Sequence, residues 1–211
     1  MAQESGSVAT DSMKFDPPKE FQAAALISDM DEYHRIHRRS VEDPDAYWAE
    51  VAEQFHWFKR WDTVKKWDAP WVEWFVGGET NLSYNCLDVH LDTWRKNKAA
   101  IVFEGEPGDV RTLTYQQLHL EVCRFANALR NLGYKKGDRV AVYMPMIPEV
   151  AMVMLACVRI GAVHSIVFAG FSADSLRDRI KNCNSKFVVT TDEGKRGGKR
   201  LALKDICDKA V

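Results

Sequence analysis

Two hydrophobic periods take turns along the second half of the chain. DRVAVYMP is an almost unbroken apolar run of strand length, IPEVAMVMLACVRIGA is an apolar helical stretch closed by Gly161, and VHSIVFAG is a second strand. Together they predict one βαβ unit. SADSLRDRIKNCN follows as a shorter amphipathic helix capped by Ser172, KFVVTT as a third strand, and the tail after Arg200 as the start of a further helix. Strands apolar on both faces and joined by helices predict a parallel sheet covered on both sides.

Upstream, AAIVFEGE and VRTLTY flank the turn signal Glu106-Pro107-Gly108-Asp109 and predict a hairpin. Thr114 caps a helix whose apolar positions Leu118, Val122, Phe125, Ala126 and Leu129 share one face, with Gly133 at its end. NLSYNCLDVHLDTWRKN, opened by Asn81, reads as another helix. Nearer the start, Asp43 and Pro44 predict a helix from about Asp43 to Phe55. Six tryptophans lie between Trp48 and Trp74 at irregular spacing, the pattern of side chains that anchor an extended segment on a neighbouring domain rather than stack on bases. The organisation expected is a flexible arm over 1–28, an N-terminal wrapping lobe over 29–80, and part of a sheet domain over 81–211. The fold class is α/β, an irregular and helical lobe followed by part of a parallel-sheet subdomain.

Composition narrows the function classes. With 211 residues, 46% hydrophobic and 28% charged, the chain has the balance of a globular protein. A net charge of -1 provides no overall field toward nucleic acid or an anionic membrane, so neither is expected as a partner. The five cysteines are scattered without a C-x-x-C pair, which fits a reducing compartment, and four of them fall in apolar helical or strand-flanking segments where an inert thiol is expected. MAQESGSVATDSMKF lacks the apolar run of a secretory signal and the arginines of a transit peptide, and no later stretch reaches membrane-span length; a cytoplasmic setting is expected.

In open α/β sheets ligands bind beyond the carboxyl ends of the strands, which directs attention to two loops. After VHSIVFAG, Gly170 serves either a tight strand-to-helix turn or the close approach of a ligand. After KFVVTT, the stretch from Asp192 to Arg200 packs four cations and three glycines between strand and helix. Its glycines can present backbone N–H groups in a nest, Arg196 can hold two phosphate oxygens at once, and Lys199 adds a point charge. A solvated basic turn accounts for the same residues, and the two readings remain open on composition alone. Walker A is excluded, since Glu193 stands where its first glycine is required and Arg200 follows Lys199 in place of Ser or Thr. His34 and His37 lack a third ligand, and His164, at the start of a strand, reads as a satisfied core or sheet-edge group. No catalytic residue and no metal site is assigned.

WFVGGETNLSYNCLDVHLD, YKKGDRVAVYMPMIPEVAMVMLACVRIGAVHSIVFAGFSADSLRDRI and TTDEGKRGGKRLALK together resemble consecutive N-terminal blocks of the acetyl-CoA synthetases, from about Tyr33 to the last residue. Propionyl-CoA synthetases share some of them. The resemblance implies the adenylate-forming enzyme fold and an AMP-forming acetate–CoA ligase. Acetate would attack the α-phosphate of ATP, with magnesium, to give acetyl-AMP, and the thiol of CoA would then displace AMP. It further implies CoA binding by Arg196, Gly197, Gly198 and Lys199 and a close backbone contact at Gly170. The family often carries arginine where Lys199 stands. The family's ATP loop, acetate pocket and catalytic lysine are expected in missing C-terminal segments, leaving the chain alone inactive. Its alternatives are a truncated CoA- or nucleotide-binding module and a propionyl-CoA synthetase fragment.

Overall fold

The computed structural model describes residues 15–211, so half of the expected 1–28 arm lies outside the described residues. The chain divides into two compact units at Gln54 and Phe55.

In the first unit, α1 (Lys19–Ala24) precedes α2 (Met30–Glu42) and α3 (Pro44–Ala52). Asp29 caps α2 by accepting from the Glu32 N–H at 2.7 Å, and Asp43 caps α3 through the Ala46 N–H at 3.2 Å. Pro44 occupies the first turn of α3, as its spacing predicts, although the helix stops three residues short of Phe55. The longer α2 was not among the expected helices; only four of its thirteen residues, Met30, Tyr33, Ile36 and Val41, are apolar, and it buries none.

The second unit opens with the tryptophan-rich stretch, which forms an antiparallel hairpin of β1 (Thr63–Asp68) and β2 (Trp71–Val76). Behind it Trp57, Trp61 and Phe75 meet edge to face or tilted at centroid distances of 4.9–5.3 Å, with Trp61 buried. The predicted helix over NLSYNCLDVHLDTWRKN is broken: α4 covers only Leu82–Cys86, and 3-10 turns cover Asp88–His90 and Trp94–Asn97. Its apolar positions are too uneven to hold one face, and Thr93 recaps the chain through the Arg95 N–H. Asn81 does start it, accepting from the Tyr84 N–H at 3.2 Å while donating to the Val158 carbonyl at 3.0 Å.

β3 (Ala99–Glu104) and β4 (Val110–Thr114) pair as the expected hairpin. Thr114 and Gln117 form a reciprocal capping box at the start of α5 (Tyr115–Asn131). Then come β5 (Arg139–Met144), α6 (Pro148–Arg159), β6 (Val163–Phe168), α7 (Ala173–Asn182) and β7 (Val188–Thr190), the three strands parallel in the order β6-β5-β7. Successive side chains of a strand point to opposite faces. Val140, Val142 and Met144 therefore join the core under α5 and α6, while Tyr143 joins Val167, Leu176 and the final helix on the other face. β5 is buried on both sides as expected, and β7 is packed on both but only partly buried, with Val189 against one cluster and Val188 against the other. β6 is an outer strand and leaves Val163, Ile166 and Phe168 exposed.

The last segment differs from the expected loop. It folds as a short antiparallel hairpin of β8 (Gly194–Arg196) and β9 (Lys199–Leu201), leading into α8 (Leu203–Ala210). Gly197 and Gly198 make its two-residue turn with φ of 58° and 69°. Positive φ at both positions is what a tight hairpin turn with the right twist demands, and glycine adopts it without strain.

Candidate functional site

Three loops leave the carboxyl ends of β5, β6 and β7 side by side. Pro145, just after β5, packs against Gly194, where an added Cβ would lie 3.1 Å from the proline Cβ. That contact seats the β8–β9 hairpin at the end of the sheet.

Arg196 and Lys199 are directly paired across this hairpin. Opposed residues share a face, so two exposed cations stand together on the same side of the Gly197–Gly198 turn, a repulsive arrangement that a bound anion relieves. Among the described residues neither forms an ion pair, whereas Arg200 is held by Glu193. Arg196 lies over the Phe168 ring, its guanidinium carbon 4.8 Å from the centroid, which orients the planar fork without a carboxylate.

Gly170 sits at the same place. A Cβ there would lie 2.7 Å from Arg196 Nη1 and 2.6 Å from the Phe168 ring. Close approach of these two side chains, rather than a backbone demand, is what requires glycine at this position. The hydroxyl of buried Tyr143 reaches the carbonyls of Ala169 at 3.1 Å and Phe171 at 2.9 Å, spanning Gly170 from beneath. Burial pushes its phenol above the ordinary value. Ser172 then caps α7 through the Ser175 N–H, as predicted.

All five residues singled out in the sequence, Gly170, Arg196, Gly197, Gly198 and Lys199, thus converge on one surface. Three contributors were not visible there. Phe168 and Tyr143 read as ordinary strand residues, and Glu106 as part of a turn. The Glu106 carboxylate accepts from the Gly197 N–H at 2.5 Å and from the Gly198 N–H at 3.3 Å. The two amides form an anion nest, and a carboxylate stands in it where a phosphate could.

A second polar cluster lies away from the sheet ends. Arg159 grips Asp88 with two bonds of 2.7 Å, and His119 Nε2 is 3.3 Å from Asp88 and 3.5 Å from Cys123 Sγ. One ring nitrogen faces both the thiol and the carboxylate, so the group is not a nucleophile–base–orienter relay. The cluster ties the 88–90 turn to α5 and α6. His164, expected to be satisfied, has a buried Nδ1 without a partner among the described residues. Of the cysteines, only Cys157 and Cys207 are buried; burial pushes the Cys157 thiol up to about 11. Cys86, at the end of α4, is exposed, and Cys123 in α5 and Cys183 just after α7 are partly so. No helix among the described residues is long and apolar enough to cross a membrane.

Residues 88–210 match the AMP-binding enzyme family, and residues 33–86 match the acetyl-coenzyme A synthetase N-terminus. The acetyl-coenzyme A synthetase of Chlorobaculum tepidum is 49% identical over 97% of this chain and 31% of its own length. That of Rubrobacter xylanophilus is 51% identical over 100% of this chain and 32% of its own length, and that of Deinococcus radiodurans 53% over 92% and 30%. The chain spans about a third of the length of these curated relatives.

Proposed function

The chain belongs to the AMP-binding enzyme family, and from that membership we propose that it forms the coenzyme A-facing part of an AMP-forming acetate–CoA ligase. In the whole enzyme a carboxylate oxygen of acetate bonds to the α-phosphorus of ATP as pyrophosphate leaves. The CoA thiol then bonds to the acyl carbon as AMP leaves and the thiol proton is lost. Acetate, ATP with magnesium and CoA are the proposed reactants, in a cytoplasmic setting.

The observation that carries the reading is the convergence of Gly170, Arg196, Gly197, Gly198 and Lys199 beyond the carboxyl ends of the sheet. The donor set fits a phosphate: two adjacent N–H groups that already hold a carboxylate, a guanidinium oriented by a ring, and an ammonium that forms no ion pair among the described residues. Arg196 and the turn amides would bind and orient the phosphorylated end of CoA, and Gly170 would leave Arg196 the room to lie over the Phe168 ring. CoA supplies the thiol that takes up the acyl group. Among the described residues no three of His, Cys, Asp and Glu converge as a metal site.

Calorimetric titration of CoA into the 211-residue chain, repeated with Arg196→Ala and at raised salt, tests the proposal. Binding that weakens at least about tenfold in the variant and falls with salt supports it, since charge-assisted contacts to phosphate carry the affinity. Affinity indifferent to both changes, or no binding by the wild-type chain, refutes it.

A further inference from the structure

The nest at the Gly197–Gly198 turn is already filled from within. Glu106 lies at the tip of the β3–β4 turn, 91 residues away from Gly197 in sequence, and places one carboxylate oxygen on each amide. Neither hairpin needs this contact to close. The β3–β4 turn is fastened by Gly105 N–H to Asp109 O and Gly108 N–H to Gly105 O, both 2.8 Å. The β8–β9 hairpin is fastened by its own ladder through Arg196 and Lys199. What the contact does is occupy two donors that point out of the protein surface beside two cations.

We infer that Glu106 is an internal competitor for the phosphate site, an autoinhibitory plug that must withdraw before a phosphorylated ligand can seat. This rests on the CoA reading above. Each amide has a single hydrogen and cannot serve a carboxylate and a phosphate at once, and the two anions repel at that range. The apparent affinity of a ligand is reduced by the fraction of molecules whose site is open. A plug seated nine-tenths of the time therefore weakens binding about tenfold. The β3–β4 turn becomes a latch that ligand binding releases.

The sign of one measurement separates a plug from a strut. CoA affinity is measured for the wild-type chain, Glu106→Gln and Glu106→Ala, with thermal melts to establish folding. A plug predicts affinity rising about tenfold in the alanine variant and by less in the glutamine variant, which keeps an acceptor oxygen for one of the two amides and loses the charge. A strut that merely holds the hairpin predicts weaker binding in the alanine variant. Weaker or unchanged affinity overturns the inference while leaving the CoA reading intact. Should none of the three proteins bind CoA, that reading falls, and inorganic phosphate becomes the probe. Gly197 and Gly198 amide resonances that shift with phosphate in Glu106→Ala but not in the wild type uphold the plug. Equal response or silence in both overturns it.

Discussion

The guanidinium of Arg196 and the bare α-carbon of Gly170 are in contact: a methyl group on Gly170 would lie 2.7 Å from Nη1. The obstructed atoms are the ends of side chains that can swing away. Gly170→Ala is therefore expected to change the melting temperature little while pushing Arg196 off the Phe168 ring. CoA affinity should drop about tenfold, the loss of one well-placed charged contact of ~1.5 kcal/mol. Calorimetry beside a thermal melt checks both halves; a stability loss without an affinity loss contradicts the assignment.

Tyr143→Phe removes the hydroxyl that reaches Ala169 and Phe171. Replacing a buried donor that bridges two carbonyls should destabilise the chain by about 1–2 kcal/mol in urea unfolding. The loop it holds carries Gly170, so CoA binding should also weaken, by a few-fold. An unchanged unfolding midpoint would show that water takes over the hydroxyl's role.

At position 199 the chain carries an exposed lysine. Arg196 and this residue stand opposite each other on β8 and β9, and a planar fork makes two phosphate bonds where an ammonium offers a point charge. Lys199→Arg should therefore tighten CoA binding several-fold with little effect on folding. Weaker binding would place the phosphate on the other side of the turn.

The pair of Asp88 with Arg159 sets an acid limit to stability. Burial pushes the Asp88 carboxyl up, but the Arg159 guanidinium with His119 outweighs this and holds it below the usual carboxylate range. A depressed carboxylate stabilises the fold in full above its unfolded value of about 4, and that contribution fades as the pH falls through the lower folded value. The two side chains are 16% and 25% exposed, so Asp88→Asn should cost ~2 kcal/mol at pH 7, less than a fully buried pair. The difference from wild type should shrink below about pH 4. Denaturant unfolding between pH 7 and pH 3 measures it; a gap that persists at acid pH would assign the loss to packing.

How far the fold could be read from residues depended on whether burial left a mark. β5 was plain because every residue after Arg139 is buried and apolar, and the cap residues Thr114 and Ser172 stand immediately before their helices. The β8–β9 hairpin was invisible because its strands are three residues each and made largely of exposed cations, with no apolar alternation to announce them. The β1–β2 hairpin hid for the opposite reason: Trp67, Trp71 and Trp74 are aromatic yet exposed, so apolarity did not report burial. Within the site, the cationic turn was legible from composition, since glycines and cations crowd into nine residues. Glu106 was not, because nothing local to a turn records which distant backbone its side chain meets.

The outer strand β6 has one further effect. Its side away from β5 carries main-chain groups that no neighbouring strand among the described residues satisfies, flanked by Val163, Ile166 and Phe168 at 54%, 44% and 54% exposure. Such a rim offers a template on which another extended chain can zip. Concentrated stocks should cloud sooner in sulfate, which strengthens apolar association, and a lysine replacing Ile166 should keep them clear.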